Sequence, residues 1–214
     1  MLLFYDYYAR PYGMTGQELA DIFNSQGTAK LGLHGTATQQ VWTASSFPVK
    51  SNHRPFWKVR KTGEFIFTMF RDPLERALSR YNELENLEKE PYHYLVSNGL
   101  ESFTEKVPDS ELKRQLFTFS EALDVEVAIK AASSLNFVLF LDTFDQDVNA
   151  LSLKMGVKLD TSLPKIGKGE YRKISKEELL NSEKAQKLRE KLESEYRFYE
   201  AMKTLKEEIN DKAV

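Results

Sequence analysis

The chain contains no cysteine, which excludes disulfide bonds and thiolate metal sites. Its 30 basic and 32 acidic side chains nearly cancel, so no overall electrostatic field would recruit nucleic acid or an anionic membrane. No apolar run is long enough to span a bilayer, and the N-terminus lacks a basic region followed by an apolar core. These absences predict a cytoplasmic protein that binds neither nucleic acid nor membrane, in which any anion site is local.

The 214 residues suit one domain, residues 1–214, with a substantial core. Short apolar runs alternate with helical patterns, and this order favours an α/β fold with a mainly parallel central sheet. A capping box at Ser175 predicts the start of a long charged helix, or pair of helices, that ends near Asn210. Within it one apolar face is predicted from the spacing of Leu188, Leu192, Tyr196, Tyr199 and Met202. The predicted elements are strands at 1–8, 65–70 and 136–141, and helices at 17–23, 73–89, 125–133, 144–155 and 175–210.

The most informative segment is 64–81, where a buried strand gives way to a helix. The apolar run 65–70 is rich in aromatic residues and reads as a strand. Asp72 is a good N-cap and Pro73 suits the first helical position. Arg76, Ser79 and Glu83 then fall on one stripe near the strand's carboxyl end, where open α/β sheets bind ligands.

The spelling Arg71-Asp72-Pro73-x-x-Arg76-x-x-Ser79-x-Tyr81 resembles the 3'-phosphate-binding motif of sulfotransferases that use 3'-phosphoadenosine 5'-phosphosulfate (PAPS). It is most similar to the branch that contains bacterial and carbohydrate sulfotransferases. The resemblance implies a P-loop-like three-layer fold, PAPS as donor, and Arg71 and Ser79 as the ligands of its 3'-phosphate. Asp142-Thr-Phe-Asp145 and Glu195-Tyr-Arg-Phe-Tyr199 are similar to later segments of the family. The alternative is an ordinary strand–helix junction whose arginine pairs with a carboxylate.

The segment 10–16 occupies the place of the family's phosphate loop. Gly13 and Gly16 would let backbone amides approach the 5'-phosphosulfate, and Thr15 would donate its hydroxyl. The family's loop lysine is absent, and Arg10 is the nearby cation that would replace it on the leaving group. Arginine binds phosphate well but is a poorer proton donor than lysine. An ordinary surface turn is the alternative explanation for the sequence of this segment.

His34 is the candidate catalytic base, because family members of this branch resemble the chain in carrying a histidine at this point. A neutral imidazole suits proton removal from an acceptor hydroxyl near pH 7. A satisfied structural histidine is the alternative. The resemblance also implies that Lys168 and Arg172, in a late basic loop, cover the donor, although a solvated loop would have the same composition. His53 and His93 read as surface residues, and the three histidines have no metal-ligand spacing, so no metal is predicted.

The preferred interpretation is a PAPS-dependent sulfotransferase whose acceptor is a small molecule or glycan with a free hydroxyl, most simply a carbohydrate. Three alternatives remain. The absent loop lysine would suit a nucleotide-binding homologue that no longer transfers sulfate. A kinase-like phosphotransferase would share the phosphate loop, but the Gly-x-x-x-x-Gly-Lys-Ser/Thr pattern is missing. A helical interaction module would leave the segment from Arg71 to Tyr81 unexplained.

Overall fold

The computed structural model describes residues 28–30, 41–44, 50–52, 56, 65–86, 93–155, 158–160 and 182–212. Over these ranges the chain is mixed α/β and mostly helical. The described strands are β1 Thr28–Lys30, β2 Val41–Ala44, β3 Lys50–Asn52, β4 Phe65–Phe70, β5 Phe137–Phe140 and β6 Lys158–Asp160. The described helices are α1 Pro73–Asn86, α2 Gly99–Lys106, α3 Asp109–Leu112, α4 Arg114–Phe119, α5 Val125–Ala132, α6 Phe144–Met155, α7 Glu183–Lys191 and α8 Glu193–Asn210.

The larger sheet is mixed rather than mainly parallel, which corrects the expectation from the sequence. Its strand order is β3-β2-β4-β5, with antiparallel pairing at β3–β2 and β2–β4 and parallel pairing at β4–β5. Residues 45–49 between β2 and β3 are too few for a parallel crossover, which needs a dozen or more. The described residues between β4 and β5 include five α-helices, so these two strands can run parallel. β1 and β6 form a second, two-stranded parallel sheet.

The elements predicted with clear patterns are confirmed. β4, β5, α5 and α6 lie within two residues of the predicted bounds, and 93–119 consists of short helices and turns as expected. The predicted strand at 1–8 and helix at 17–23 lie outside the described residues. The sequence does not predict β1, β2, β3 or β6, because strands of three or four residues are too short for a periodic signal.

The C-terminal charged segment forms two helices that meet at Leu192. Ser182 caps α7, since its Oγ accepts a hydrogen bond from the Ala185 N–H at 3.1 Å. The start predicted at Ser175 lies outside the described residues. The predicted apolar face is confirmed by the burial of Leu188, Leu192, Tyr199 and Met202, and its fifth member, Tyr196, is half-buried.

Aromatic packing places α8 across the end of the β4–β5 pair. The Phe70 ring centroid lies 5.6 Å from those of Phe140 and Phe198. Phe119 of α4 is 6.0 Å from Phe70, and all four side chains are buried. Such pairs add about 0.5–1.5 kcal/mol each beyond area burial. As a result, polar residues of α4 and α8 lie where the two parallel strands end.

The described helices include none that is both long enough and apolar enough to cross a lipid bilayer.

Candidate phosphate-binding site

The junction between β4 and α1 has the local structure that its sequence predicts. Asp72 caps α1, because its Oδ1 accepts a hydrogen bond from the Glu75 N–H at 2.9 Å. The Arg76 N–H donates to the Asp72 carbonyl at 2.9 Å, and Pro73 occupies the first helical position. Arg71 is therefore held between a strand end and a helix start, at the carboxyl edge of the parallel β4–β5 pair.

Tyr196 of α8 completes the cap of α1. Its hydroxyl donates to the Asp72 carboxylate, with both oxygens at 3.1 Å, and accepts from the Leu74 N–H at 3.3 Å. Burial, followed by the Asp72 charge, raises the pKa of Tyr196, so this hydroxyl keeps its proton. The Leu74 and Glu75 amides thus already have acceptors within the protein. An anion at this junction would be bound mainly by side chains.

Gln115 of α4 holds the backbone of Arg71. The Arg71 N–H donates to Gln115 Oε1 at 2.8 Å, and Gln115 Nε2 donates to the Arg71 carbonyl at 2.9 Å. Gln115 is buried, so these bonds are shielded from water. One side-chain amide therefore satisfies both backbone groups of the residue that the sequence singles out.

The Arg71 side chain contacts Glu75 on the first turn of α1. Arg71 Nη2 lies 3.6 Å from Glu75 Oε2, with 18% of the arginine and 29% of the glutamate side chain exposed. Ser79 follows Glu75 by one turn on the same face of the helix and is half-buried. Pairing with a carboxylate is what an ordinary strand–helix junction predicts. A doubly charged phosphate beside Ser79 would nevertheless compete with Glu75 for the guanidinium, because it carries more negative charge than one carboxylate.

The second arginine of the motif faces the protein interior. Arg76 is 3% exposed and its Nη2 lies 3.1 Å from Glu195 Oε2 of α8, whose side chain is fully buried. The same guanidinium donates to the carbonyls of Glu111 and Leu112. The sequence pattern places Arg76 with Ser79 near the carboxyl end of β4, as part of a ligand site. In the structure the Arg76 guanidinium is instead bound by buried acceptors on α3 and α8.

Glu195 joins α8 to α4. Its Oε1 accepts from the Gln115 N–H at 2.6 Å and from the Leu116 N–H at 3.4 Å. Burial raises the pKa of Glu195, and the charge of Arg76 and these two N–H groups oppose the increase. The Glu195 carboxylate therefore forms an ion pair with Arg76 and is linked to Arg71 through the hydrogen bonds of Gln115.

A second carboxylate–tyrosine pair lies beside the first. Asp142 follows β5 by two residues, as Asp72 follows β4. Tyr199, one helical turn after Tyr196, donates to Asp142 Oδ2 at 3.1 Å, and Lys203 Nζ is 3.8 Å from the same oxygen. Burial and the Asp142 carboxylate raise the pKa of Tyr199 well above its usual value. One face of α8 therefore binds the residues that follow both parallel strands.

An open surface cleft of about 340 Å³ extends from Tyr196. Among the described residues it is lined by Arg189, Glu190, Glu193 and Tyr196. The Arg189 guanidinium carbon lies 5.5 Å from the centroid of the Tyr196 ring. The carboxylates can accept, and the guanidinium can donate, hydrogen bonds to a polar ligand.

Of the predicted site residues, Arg71 and Ser79 lie in the described part of the chain, and Arg71 contacts Glu75, which precedes Ser79 by one helical turn. His93 is half-buried, with Nδ1 against the Leu84 carbonyl, so it is less of a surface residue than predicted. Those outside the described residues are Arg10, Gly13, Thr15, Gly16, His34, Lys168 and Arg172. His53 lies outside them as well.

Gln115 was missed by the sequence reasoning. It lies in a short helix without a recognisable motif, 44 residues from Arg71, and no local pattern marks it. Glu195 and Tyr199 were noted through the resemblance, but their partners Arg76 and Asp142 become evident only when α8 is packed on the sheet.

Comparison with protein-family models, with curated proteins and with solved structures finds no match for the chain. The motif at the β4–α1 junction and the contacts around it are therefore what bears on function.

Proposed function

We propose that the protein is a sulfotransferase that moves a sulfuryl group from PAPS to an acceptor hydroxyl, most simply on a carbohydrate. The observation that carries this proposal is the Arg71–Ser79 segment. This segment resembles the family's 3'-phosphate motif. It also lies where a strand ends and a capped helix begins, at the carboxyl edge of a parallel strand pair, which is where such sheets bind ligands. The fold of the whole chain would then be P-loop-like, with helices on both faces of the central sheet in three layers.

Arg71 and Ser79 would bind the 3'-phosphate of the donor. A guanidinium binds phosphate oxygens through paired hydrogen bonds, and a hydroxyl adds a further donor. The 18% exposure of the Arg71 side chain supports this role, because a ligand needs access to the charge and a largely desolvated charge binds it more strongly. Lys168 and Arg172 would approach the same phosphate.

The transfer itself would be carried out by residues of the N-terminal segment. The 5'-phosphosulfate would lie on Gly13, Thr15 and Gly16, with Arg10 balancing charge on the leaving phosphate. The acceptor oxygen attacks sulfur as the bond from sulfur to the bridging oxygen breaks, and the acceptor proton passes to His34. Positioning and fixed cations supply the stabilisation in this scheme.

Calorimetric titration with 3'-phosphoadenosine 5'-phosphate (PAP) and with 5'-AMP tests the donor site. We expect binding that requires the 3'-phosphate in the wild type and loss of that preference in Arg71→Ala. Arg197→Ala is the matched control, since its side chain is 64% exposed and lies on α8. A folded wild-type protein that binds PAP no better than 5'-AMP would contradict the proposal.

The same preparation separates the alternatives. PAP binding without turnover of any hydroxyl acceptor, glycans included, would indicate a nucleotide-binding homologue that has lost transfer. Binding of ATP in preference to PAP would favour a phosphotransferase. Sulfation that disappears in His34→Ala while PAP binding remains would support the catalytic role of that histidine.

A further inference from the structure

We propose that Gln115 is a positioning residue that sets Arg71 for the 3'-phosphate, an inference that rests on the proposed function. The arginine would touch the ligand, whereas Gln115 would act only through it. Neither the position of Gln115 in the chain nor the motif around Arg71 indicates this role. It comes from the two hydrogen bonds that the Gln115 amide forms with the Arg71 backbone.

Arg71 occupies the first position beyond the parallel ladder. The pairing of β4 with β5 ends at Phe70 opposite Phe140. At the next residue the Gln115 amide binds the backbone N–H at 2.8 Å and the carbonyl at 2.9 Å, as a neighbouring strand would. The backbone at Arg71 therefore has a defined direction after the ladder has ended, and the side chain starts from a fixed point.

Gln115 is held in turn by the buried ion pair. Its backbone N–H donates to Glu195 Oε1 at 2.6 Å, and Glu195 Oε2 binds Arg76 at 3.1 Å. The two arginines of the motif are thus joined by a buried path that runs from Arg76 through Glu195 and Gln115 to Arg71. In this arrangement the buried Arg76 anchors the path, while the Arg71 side chain is 18% exposed and accessible to a ligand.

A positioning role predicts an effect confined to the 3'-phosphate. Loss of the amide would leave the α1 cap intact, because Asp72 and Tyr196 hold it independently of Gln115. The direction of the Arg71 side chain would change, and PAP binding would weaken while 5'-AMP binding would not. The ratio of the 5'-AMP and PAP dissociation constants reports this difference and is insensitive to a general loss of stability.

The experiment measures that ratio by calorimetry, well below the melting temperature, for wild type, Gln115→Met and Gln115→Asn. Met keeps the length of the side chain without its hydrogen bonds, and Asn keeps the amide but shortens its reach. We expect the ratio to fall roughly tenfold or more in the Met variant, since a misdirected charged contact loses most of its worth. If Gln115→Met does not fold, the Asn variant decides alone.

Two controls separate positioning from stability. Gln186→Met changes an exposed glutamine of α7 and should leave the ratio unchanged. Lys206→Met leaves the Asp147 carboxylate, whose side chain is 5% exposed, without its cation. This pair shares no residue with the path from Arg76 to Arg71, so stability should fall while the ratio is kept.

The outcomes are distinct. A wild-type ratio well above one with an unchanged ratio in Gln115→Met would overturn the positioning role and leave the proposed function standing. A wild-type ratio near one would overturn both. A reduced ratio in both Gln115 variants, with the ratio of each control variant equal to that of the wild type, would establish Gln115 as the residue that positions Arg71.

Discussion

Replacing Arg76 with methionine tests the ion pair that joins α1 to α8. The Glu195 side chain is fully buried and that of Arg76 is 3% exposed, so the variant leaves a buried carboxylate without its cation. Removing one partner of such a pair costs about 3–5 kcal/mol. At about 2–4 °C per kcal/mol for a chain of this size, the melting temperature should fall by roughly 6–20 °C.

The pH dependence of Arg76→Met has a definite sign. Burial raises the pKa of Glu195 in the folded state, and the variant lacks the cation that opposes this increase. Between the unfolded value, about 4.3, and the raised folded value, the native state holds a proton that the unfolded state has lost. The stability contribution is therefore present at low pH and is lost as pH rises, so the deficit relative to wild type should grow from pH 5 to pH 8.

Urea unfolding at pH 5 and pH 8 measures this deficit, with Arg197→Met as the exposed control. The side chains of Arg197 and Glu126 are 64% and 80% exposed and 4.0 Å apart, so no measurable loss is expected there. The double variant Arg76→Met/Glu195→Gln should recover part of the loss, because it buries no unpaired charge. A deficit below about 1 kcal/mol, the range of surface pairs, and equal at both pH values would refute the reasoning.

Two further predictions concern the β4–α1 junction. Asp72→Ala removes the cap of α1 and the acceptor of the Tyr196 hydroxyl, so the free energy of unfolding in urea should fall by about 1–2 kcal/mol. Asp72→Asn should lose less, because its side-chain oxygen can still cap the helix. Equal losses in the two variants would contradict the capping role. Glu75→Gln removes the carboxylate that lies 3.6 Å from Arg71, so PAP should bind roughly two- to fivefold more tightly by calorimetry. Weaker binding in Glu75→Gln would show that Glu75 does not compete with the phosphate.

Local sequence chemistry was sufficient for the β4–α1 junction. The run 65–70, the cap at Asp72 and the proline after it are signals read within one turn of the chain, and the structure confirms each of them. The pairing of the strands could not be predicted from the local sequence. The antiparallel pairing of β2 with β4 joins residues more than 20 positions apart, and no periodic pattern marks so short a strand.

The sequence by itself determined which residues form the strand, the cap and the helix around Arg71, because backbone propensities and capping act between neighbours. It also determined that one face of the C-terminal helices is buried. Only the tertiary structure decided the separate tasks of the two arginines. Arg71 and Arg76 are arginines of the same motif, and nothing in the local sequence separates their roles. Acceptors on α3 and α8 surround Arg76, whereas Gln115 of α4 holds the backbone of Arg71. These partners lie 35 to 119 residues away along the chain, so their effect exists only once the helices have packed.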